Sequence, residues 1–175
     1  MITFIYGGSS SGKSAFAEDY VLKLGINNKY YLATMSANDT ESLVRIQKHR
    51  LARQGKGFIT IEQSQNISSI LNQIENPSNA VVLLECMSNL VAGEMFAKLQ
   101  PLLYRECADK IYNDITALAE NIYHLVIVSN NVFEDGTDYD DSTREYMRAL
   151  GTINRRVAAE ADDVFEVVVG IGVKL

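Results

Sequence analysis

The chain holds no tryptophan and only two cysteines, two prolines and two histidines among its 175 residues. Each scarcity excludes something. Cys86 and Cys107 are too few for a disulfide framework and lack the paired spacing of a zinc site, so both are expected as reduced core thiols. With only Pro77 and Pro101 there is no Pro-rich linker, and both are expected between elements. Basic charge is also in deficit: 16 Lys and Arg against 22 Asp and Glu leave a net −6, which argues against a nucleic-acid partner, because neutralising phosphates needs clustered cations. No apolar run approaches the length of a bilayer span, and no basic region precedes the apolar run at residues 2–6. The expectation is a cytoplasmic protein without a membrane span.

What is present is globular in balance, with 47% hydrophobic and 22% charged residues. Its length suits one domain, 1–175, with a substantial core. Short β-rich runs alternate with longer helical patterns, as βαβ units do. Strands are expected at Ile2–Tyr6, Lys29–Ala33, Phe58–Ile61, Ala80–Leu84, His124–Ser129 and Val164–Val169. Runs such as Val81-Val82-Leu83-Leu84 and Leu125-Val126-Ile127-Val128 are apolar on both faces and predict central strands, whereas Phe58–Ile61 alternates and predicts an edge. Helices are expected at about Lys13–Leu24, Thr40–Gln54, Ile67–Glu75, Pro101–Glu120 and Ser142–Ala161, the last with Tyr146, Leu150, Ile153 and Val157 on one face. With a match to G-x-x-x-x-G-K-[S/T] at residues 7–14 straight after the first strand, the expected fold class is α/β, P-loop NTPase-like, a mostly parallel sheet flanked by helices on both faces. Ligands of such sheets bind beyond the carboxyl ends of the strands.

The chemistry begins there. Residues Gly7, Gly8, Ser9, Ser10, Ser11, Gly12, Lys13 and Ser14 match G-x-x-x-x-G-K-[S/T] directly after the first strand and directly before a helix. Glycines at both ends free the backbone to turn successive N–H groups inward on a β-phosphate. Lys13 supplies a charge for the β- and γ-phosphates, the Ser14 hydroxyl is placed for Mg²⁺, and the helix start aims its positive end at the same anion. Glu85 closes the run Val81–Leu84 as the carboxylate of a Walker B element closes its strand, and is the second expected Mg²⁺ ligand. Of the two histidines, His124 begins a strand and is expected to be structural. His49 lies in Arg45-Ile46-Gln47-Lys48-His49-Arg50. On pattern alone it is solvent-facing; as chemistry, a neutral imidazole is a good nucleophile toward phosphorus, and flanking cations would draw in a triphosphate.

The ordered set GGSSSGKS at 7–14, YLATM at 31–35, RIQKHR at 45–50, LLEC at 83–86, VIVSN at 126–130 and INRRVAAEADDVFEVVVGIGVKL at 153–175 resembles the bifunctional adenosylcobinamide kinase/adenosylcobinamide-phosphate guanylyltransferase family of cobalamin biosynthesis. R-I-x-x-H-R and the terminal G-I-G-V-K are its specific parts. The resemblance implies phosphorylation of adenosylcobinamide by a nucleoside triphosphate, then transfer of GMP from GTP to the product through GMP carried on a histidine, which falls on His49. It also implies nucleotide contacts at Ala33, Thr34 and Met35, at Arg50, Leu51, Ala52 and Arg53, and at Glu62 and Glu85. Lys13 and His49 are the expected catalytic pair, with Mg²⁺ as cofactor, ATP and GTP as substrates, a corrinoid as acceptor and a homo-oligomer, such as a trimer, as the assembly.

One departure stands out. Where many relatives read N-E-V-G, this chain has Asn130-Asn131-Val132-Phe133, followed by the acidic segment 134–141, which lacks the spacing of a calcium loop. Two other functions fit parts of the pattern. A small-molecule kinase would use the phosphate loop without a covalent intermediate, leaving His49 incidental. A GTPase-like switch would require N-K-x-D after a central strand, where this chain has Asn130-Asn131-Val132-Phe133.

Overall fold

The computed structural model describes residues 1–36, 44, 47, 50, 51, 53–133 and 138–175. Its strands are β1 (Ile2–Gly7), β2 (Lys29–Ala33), β3 (Ile59–Glu62), β4 (Val81–Glu85), β5 (His124–Asn130), β6 (Asp163–Val168) and β7 (Ile171–Lys174). They form one seven-stranded sheet in the order β3-β2-β4-β5-β1-β6-β7. Every pairing is parallel except β6 with β7, which is antiparallel.

The doubly apolar runs are the centre of the sheet, as their composition demands. Val81, Val82, Leu83 and Leu84 of β4 and Leu125, Val126, Ile127 and Val128 of β5 are all 0% exposed. At about 1.5–3 kcal/mol per fully buried aliphatic side chain, this pair of strands anchors the fold. β3 is the edge strand that its alternation predicts; only Ile61 of its four residues is buried.

Helices cover both faces: α1 (Lys13–Lys23), α2 (Met87–Met95), α3 (Tyr104–Asn121) and α4 (Asp141–Glu160). The smaller core, built on Ile5, Tyr31, Val81, Leu83, Val126 and Val128, takes Ala17 and Val21 from α1. The larger, on Phe4, Leu32, Val82, Leu84, Leu125 and Ile127, takes Leu90 from α2, Ile111 and Ile115 from α3, and Leu150, Ile153 and Val157 from α4. Both cysteines are free and buried. Among the described residues no helix is long and apolar enough to cross a membrane.

The structure corrects the sequence reading in four places. The segment expected as helix at Ile67–Glu75 is a 3-10 helix, Ile67–Gln73. α2 was not expected, and it starts immediately after β4 with Cys86 as N-cap. The final strand does not run to Val169: it stops at Val168, and β7 returns along it. α3 starts at Tyr104 rather than Pro101. Of the helix expected at 40–54, Val44, Gln47, Arg50 and Leu51 are helical, and most of the rest, His49 and Ala52 included, lies outside the described residues.

Candidate functional site at the carboxyl edge of the sheet

Strand register, rather than any one motif, assembles the site. Ala33 stands opposite Glu62 on one side and Glu85 on the other, Glu85 opposite Val128, and Asn130 opposite Gly7. Residues 62, 33, 85, 130 and 7 therefore lie along one edge, at the carboxyl ends of β3, β2, β4, β5 and β1. The chain beyond each strand is pinned to its neighbour. Thr34 N–H donates to the Glu85 carbonyl at 3.1 Å, the buried Thr34 hydroxyl to the Cys86 carbonyl at 2.8 Å, and Asn131 N–H to the Gly7 carbonyl at 2.9 Å.

The phosphate loop needs its glycines for two different reasons. Gly12 sits at φ 88°, in the left-handed region where a side chain is costly, and is the N-cap of α1. Gly7 has no such angle; a Cβ there would lie 2.7 Å from the Val167 carbonyl oxygen and 2.8 Å from Ser11 Oγ. Conformational freedom thus explains only Gly12. No side chain caps α1, so the N–H groups of its first turn are left for a ligand. The loop is also held from the far side. Gly170 N–H in the β6–β7 turn donates to the Ser11 carbonyl at 2.7 Å, and the Gly170 Cα packs 2.9 Å from where a Gly12 Cβ would be.

Lys13 is buried and its ammonium donates to the Gly8 carbonyl at 2.9 Å. Burial lowers its pKa, while the Cys86 thiol and the Glu85 carboxylate nearby pull it back up. The Ser14 hydroxyl donates to Glu85 Oε1. The other oxygen, Glu85 Oε2, is buried with no partner, and burial drives this carboxyl above the usual range against the opposing Ser14 bond and the Lys13 and Arg53 charges. A hydroxyl beside a buried, half-satisfied carboxylate fits a divalent cation that takes its remaining ligands from phosphate and water. Among the described residues no group of three His, Cys, Asp or Glu could hold a metal by itself, so any ion here depends on the substrate for ligands.

Arg53 is the second cation, and pattern alone gave it no special place in the basic segment. It is 6% exposed, its guanidinium lies 3.5 Å from the centre of the Tyr31 ring, and its Nε and Nη1 have no hydrogen-bond partner. A cation-π contact offsets part of the cost of burial, but two unpaired donors this deep are costly unless an anion reaches them. Next to it, Lys56 pairs with the buried Glu18 of α1 at 2.5 Å, fixing this stretch against the phosphate-loop helix.

Several expected positions stand apart from that centre. Arg50 is exposed and pairs with Glu62, Leu51 is 59% exposed, and Ser9 and Ser10 are exposed. Met35 is half-buried after β2. His124 is structural as expected: it is buried and bonded to Thr3 at the opposite edge. Of the acidic segment, residues 134–137 lie outside the described residues, and Asp140 caps α4 by accepting from Thr143 N–H at 2.8 Å. Sequence reasoning missed the depth of Arg53 and the tie from Gly170 to the phosphate loop. A Val-Gly pair between apolar runs, Val169-Gly170, was the available signal for the hairpin.

The family model for cobinamide kinase / cobinamide phosphate guanyltransferase matches residues 3–175 of this chain. The chain is 30% identical to the bifunctional adenosylcobalamin biosynthesis protein CobU of Escherichia coli (strain K12), over 100% of this chain and 99% of that one. To the protein of the same name from Salmonella typhimurium it is 31% identical, with the same coverage. Among solved structures it is similar to an ATPase domain, with a TM-score of 0.55 at 16% identity over 94% of this chain and 68% of that one, a likeness of fold alone.

Proposed function

Because the chain belongs to the cobinamide kinase / cobinamide phosphate guanyltransferase family, we propose a division of its two reactions among the residues of the carboxyl edge. It is a transferase: it phosphorylates adenosylcobinamide with a nucleoside triphosphate and transfers GMP from GTP to the phosphorylated product, giving adenosylcobinamide-GDP. The observation that carries the residue-level reading is the meeting of three features at one edge: an uncapped phosphate loop, the Ser14–Glu85 pair, and the buried guanidinium of Arg53 with its Nε and Nη1 lacking hydrogen-bond partners.

In the kinase reaction the loop amides and Lys13 hold the β- and γ-phosphates, and the acceptor alcohol attacks the γ-phosphorus as the bond to the β–γ bridging oxygen breaks. Ser14 and Glu85 would hold Mg²⁺, which neutralises charge developing on the leaving diphosphate. Lys13 does the same without reorganising, since burial and the Gly8 carbonyl already fix it. ATP and GTP both fit such a site.

In the transferase reaction His49 attacks the α-phosphorus of GTP and pyrophosphate departs. The phosphate of the corrinoid then attacks the same phosphorus and releases the imidazole. One displacement between two bulky anions becomes two, each with a better-placed nucleophile. Support comes from its sequence neighbours: Arg50 is tied to Glu62 at the end of β3, and Arg53 is stacked on Tyr31 at β2. GTP labelled at the α-phosphate tests the scheme. The protein should acquire acid-labile, base-stable label, and His49→Ala should abolish it while nucleotide binding persists; undiminished label in that variant removes His49 from the mechanism. The enzyme acts as a cytoplasmic homo-oligomer, a state that light scattering reads directly.

A further inference from the structure

Three neutral polar side chains at the carboxyl edge have no part in the scheme above. Asn130 closes β5, and its side-chain amide donates to Ser88 Oγ at 2.7 Å and faces Cys86 Sγ at 3.8 Å. Cys86 Sγ and Ser88 Oγ are themselves 2.9 Å apart. Cys86 and Ser88 are buried, and Asn130 is half-buried, so the cluster has one open side.

Its position in the sheet says which side. Asn130 pairs in register with Gly7, the first residue of the phosphate loop, and shares its face of β5 with Val126 and Val128, which pack on α1. Glu85, on the neighbouring strand β4, follows Val81 and Leu83 on that same face. Cys86 directly follows Glu85 in the chain, and the Lys13 ammonium lies near both residues. The cluster therefore stands beside Lys13 and Glu85, the two groups that mark the γ-phosphate end of a bound triphosphate. Arg53, Ala33 and Glu62 lie on the β2–β3 side of Glu85 instead.

The chemistry of the cluster selects its ligand. An amide and a hydroxyl each donate and accept, and neither carries charge. Against a phosphate they would be weak partners beside the loop amides and Lys13; against an alcohol, which must accept one bond and donate another, they match. Tyr146 of α4 fixes the floor by donating to the Ser88 carbonyl at 3.2 Å.

We propose that Asn130 and Ser88 form the acceptor subsite of the phosphorylation reaction, holding the alcohol oxygen of the corrinoid side chain against the γ-phosphorus. The alcohol oxygen forms the new P–O bond and the bond to the β–γ bridging oxygen breaks, its electron pair leaving with the nucleoside diphosphate. The alcohol proton passes to an oxygen of the transferred phosphoryl group and then to water. Asn130 and Ser88 orient and do not exchange protons.

This subsite rests on the phosphate-loop reading, and the test separates the two. Affinity for GTP is measured by calorimetry, and phosphorylation of adenosylcobinamide by steady-state kinetics, in the wild type, Asn130→Ala, Asn130→Ser and Ser88→Ala. The expected result is a rise in KM for adenosylcobinamide, or a fall in kcat/KM for it, of about tenfold to a hundredfold in Asn130→Ala, with GTP affinity within about twofold of wild type. Asn130→Ser, which keeps a small donor and acceptor, recovers part of the loss and serves if the alanine variant does not fold. Unchanged acceptor kinetics in Asn130→Ala overturns the proposal. So does a loss of GTP affinity and acceptor kinetics in step, because a purely structural tie between β5 and α2 acts on both. Absence of GTP binding in the wild type removes the phosphate-loop reading and the subsite with it.

Discussion

The two edges of the sheet treat buried polar groups in opposite ways. At the amino edge, Thr3 is the second residue of β1, His124 and Asp163 open β5 and β6, and α1 sends Tyr20 down to meet them. Thr3 donates to the Tyr20 hydroxyl at 3.1 Å, Tyr20 to Asp163 at 3.3 Å, and Asp163 pairs with Lys174 of β7. With the Thr3 proton committed, the 2.8 Å contact from His124 makes its Nε2 the donor. Only Nδ1 of that histidine is left over. At the carboxyl edge the opposite holds: Ser11 Oγ, Glu85 Oε2 and both Nε and Nη1 of Arg53 are buried without a partner. Unsatisfied buried groups cost stability, roughly 1–3 kcal/mol each and more for charged ones. One edge pairs its polar groups within the sheet, and the other leaves several of them unpaired. α1 joins them, with Lys13 at one end and Tyr20 at the other.

The sharpest way to break this contrast is Lys13→Ala. It should lower both the phosphorylation and the guanylylation rates by about a hundredfold to a thousandfold, the range for losing one preorganised charge at a transition state. Thermal stability should stay level or rise, because a desolvated cation has been removed. Calorimetric unfolding beside the two rate assays checks both halves. A large drop in Tm would mean that Lys13 belongs with the structural groups and that the edges do not differ as described.

The amino edge should answer to pH instead. Burial, with the N-terminal ammonium second, lowers the pKa of His124 below its ordinary 6.5. The unfolded chain therefore takes up this proton first on acidification. Its contribution to stability is complete above about pH 6.5 and is lost as pH falls below that value toward the depressed folded pKa. Between about pH 7.5 and 5.5 the wild-type Tm should fall, and His124→Gln, which keeps a donor for Thr3, should flatten that slope. An unchanged slope in the variant would assign the acid sensitivity to other groups.

Legibility followed the same division. The central strands and the edge strand were visible because burial on two faces, or on one, leaves its mark in residue type: Val81–Leu84 and Leu125–Val128 against the alternating Ile59–Glu62. The phosphate loop was visible because an anion cradle demands Gly, Lys and Ser at fixed spacing. α2 was not, since it starts from Cys86 with no capping side chain and carries Gly93, whose reason is spatial: a Cβ there would sit 2.5 Å from the Ser64 carbonyl oxygen. Arg53 was hidden for a related reason. A cation in a basic segment reads as solvated, and only the third dimension supplies the Tyr31 ring that lets it stay buried. The role of Asn130 depended on Ser88, which lies 42 residues away in sequence and on a helix that the pattern did not reveal.

The smallest expected effect lies at the β6–β7 turn, which follows the carboxyl end of β6. Val169 is held at φ 45°, in the left-handed region that a β-branched residue adopts at a cost, and it is 84% exposed, so little packing offsets the strain. The turn persists because its next residue, Gly170, donates to the Ser11 carbonyl and so braces the phosphate loop. Replacing Val169 by Gly or Asn removes the strain and leaves that backbone bond in place. Stability should rise by about 1 kcal/mol, a gain of roughly 2–4 °C in Tm for a chain of this size. A fall in Tm for both replacements would show that the Val169 side chain is held by contacts it does not make here, and that the hairpin belongs to the stabilising edge rather than to the brace of the loop.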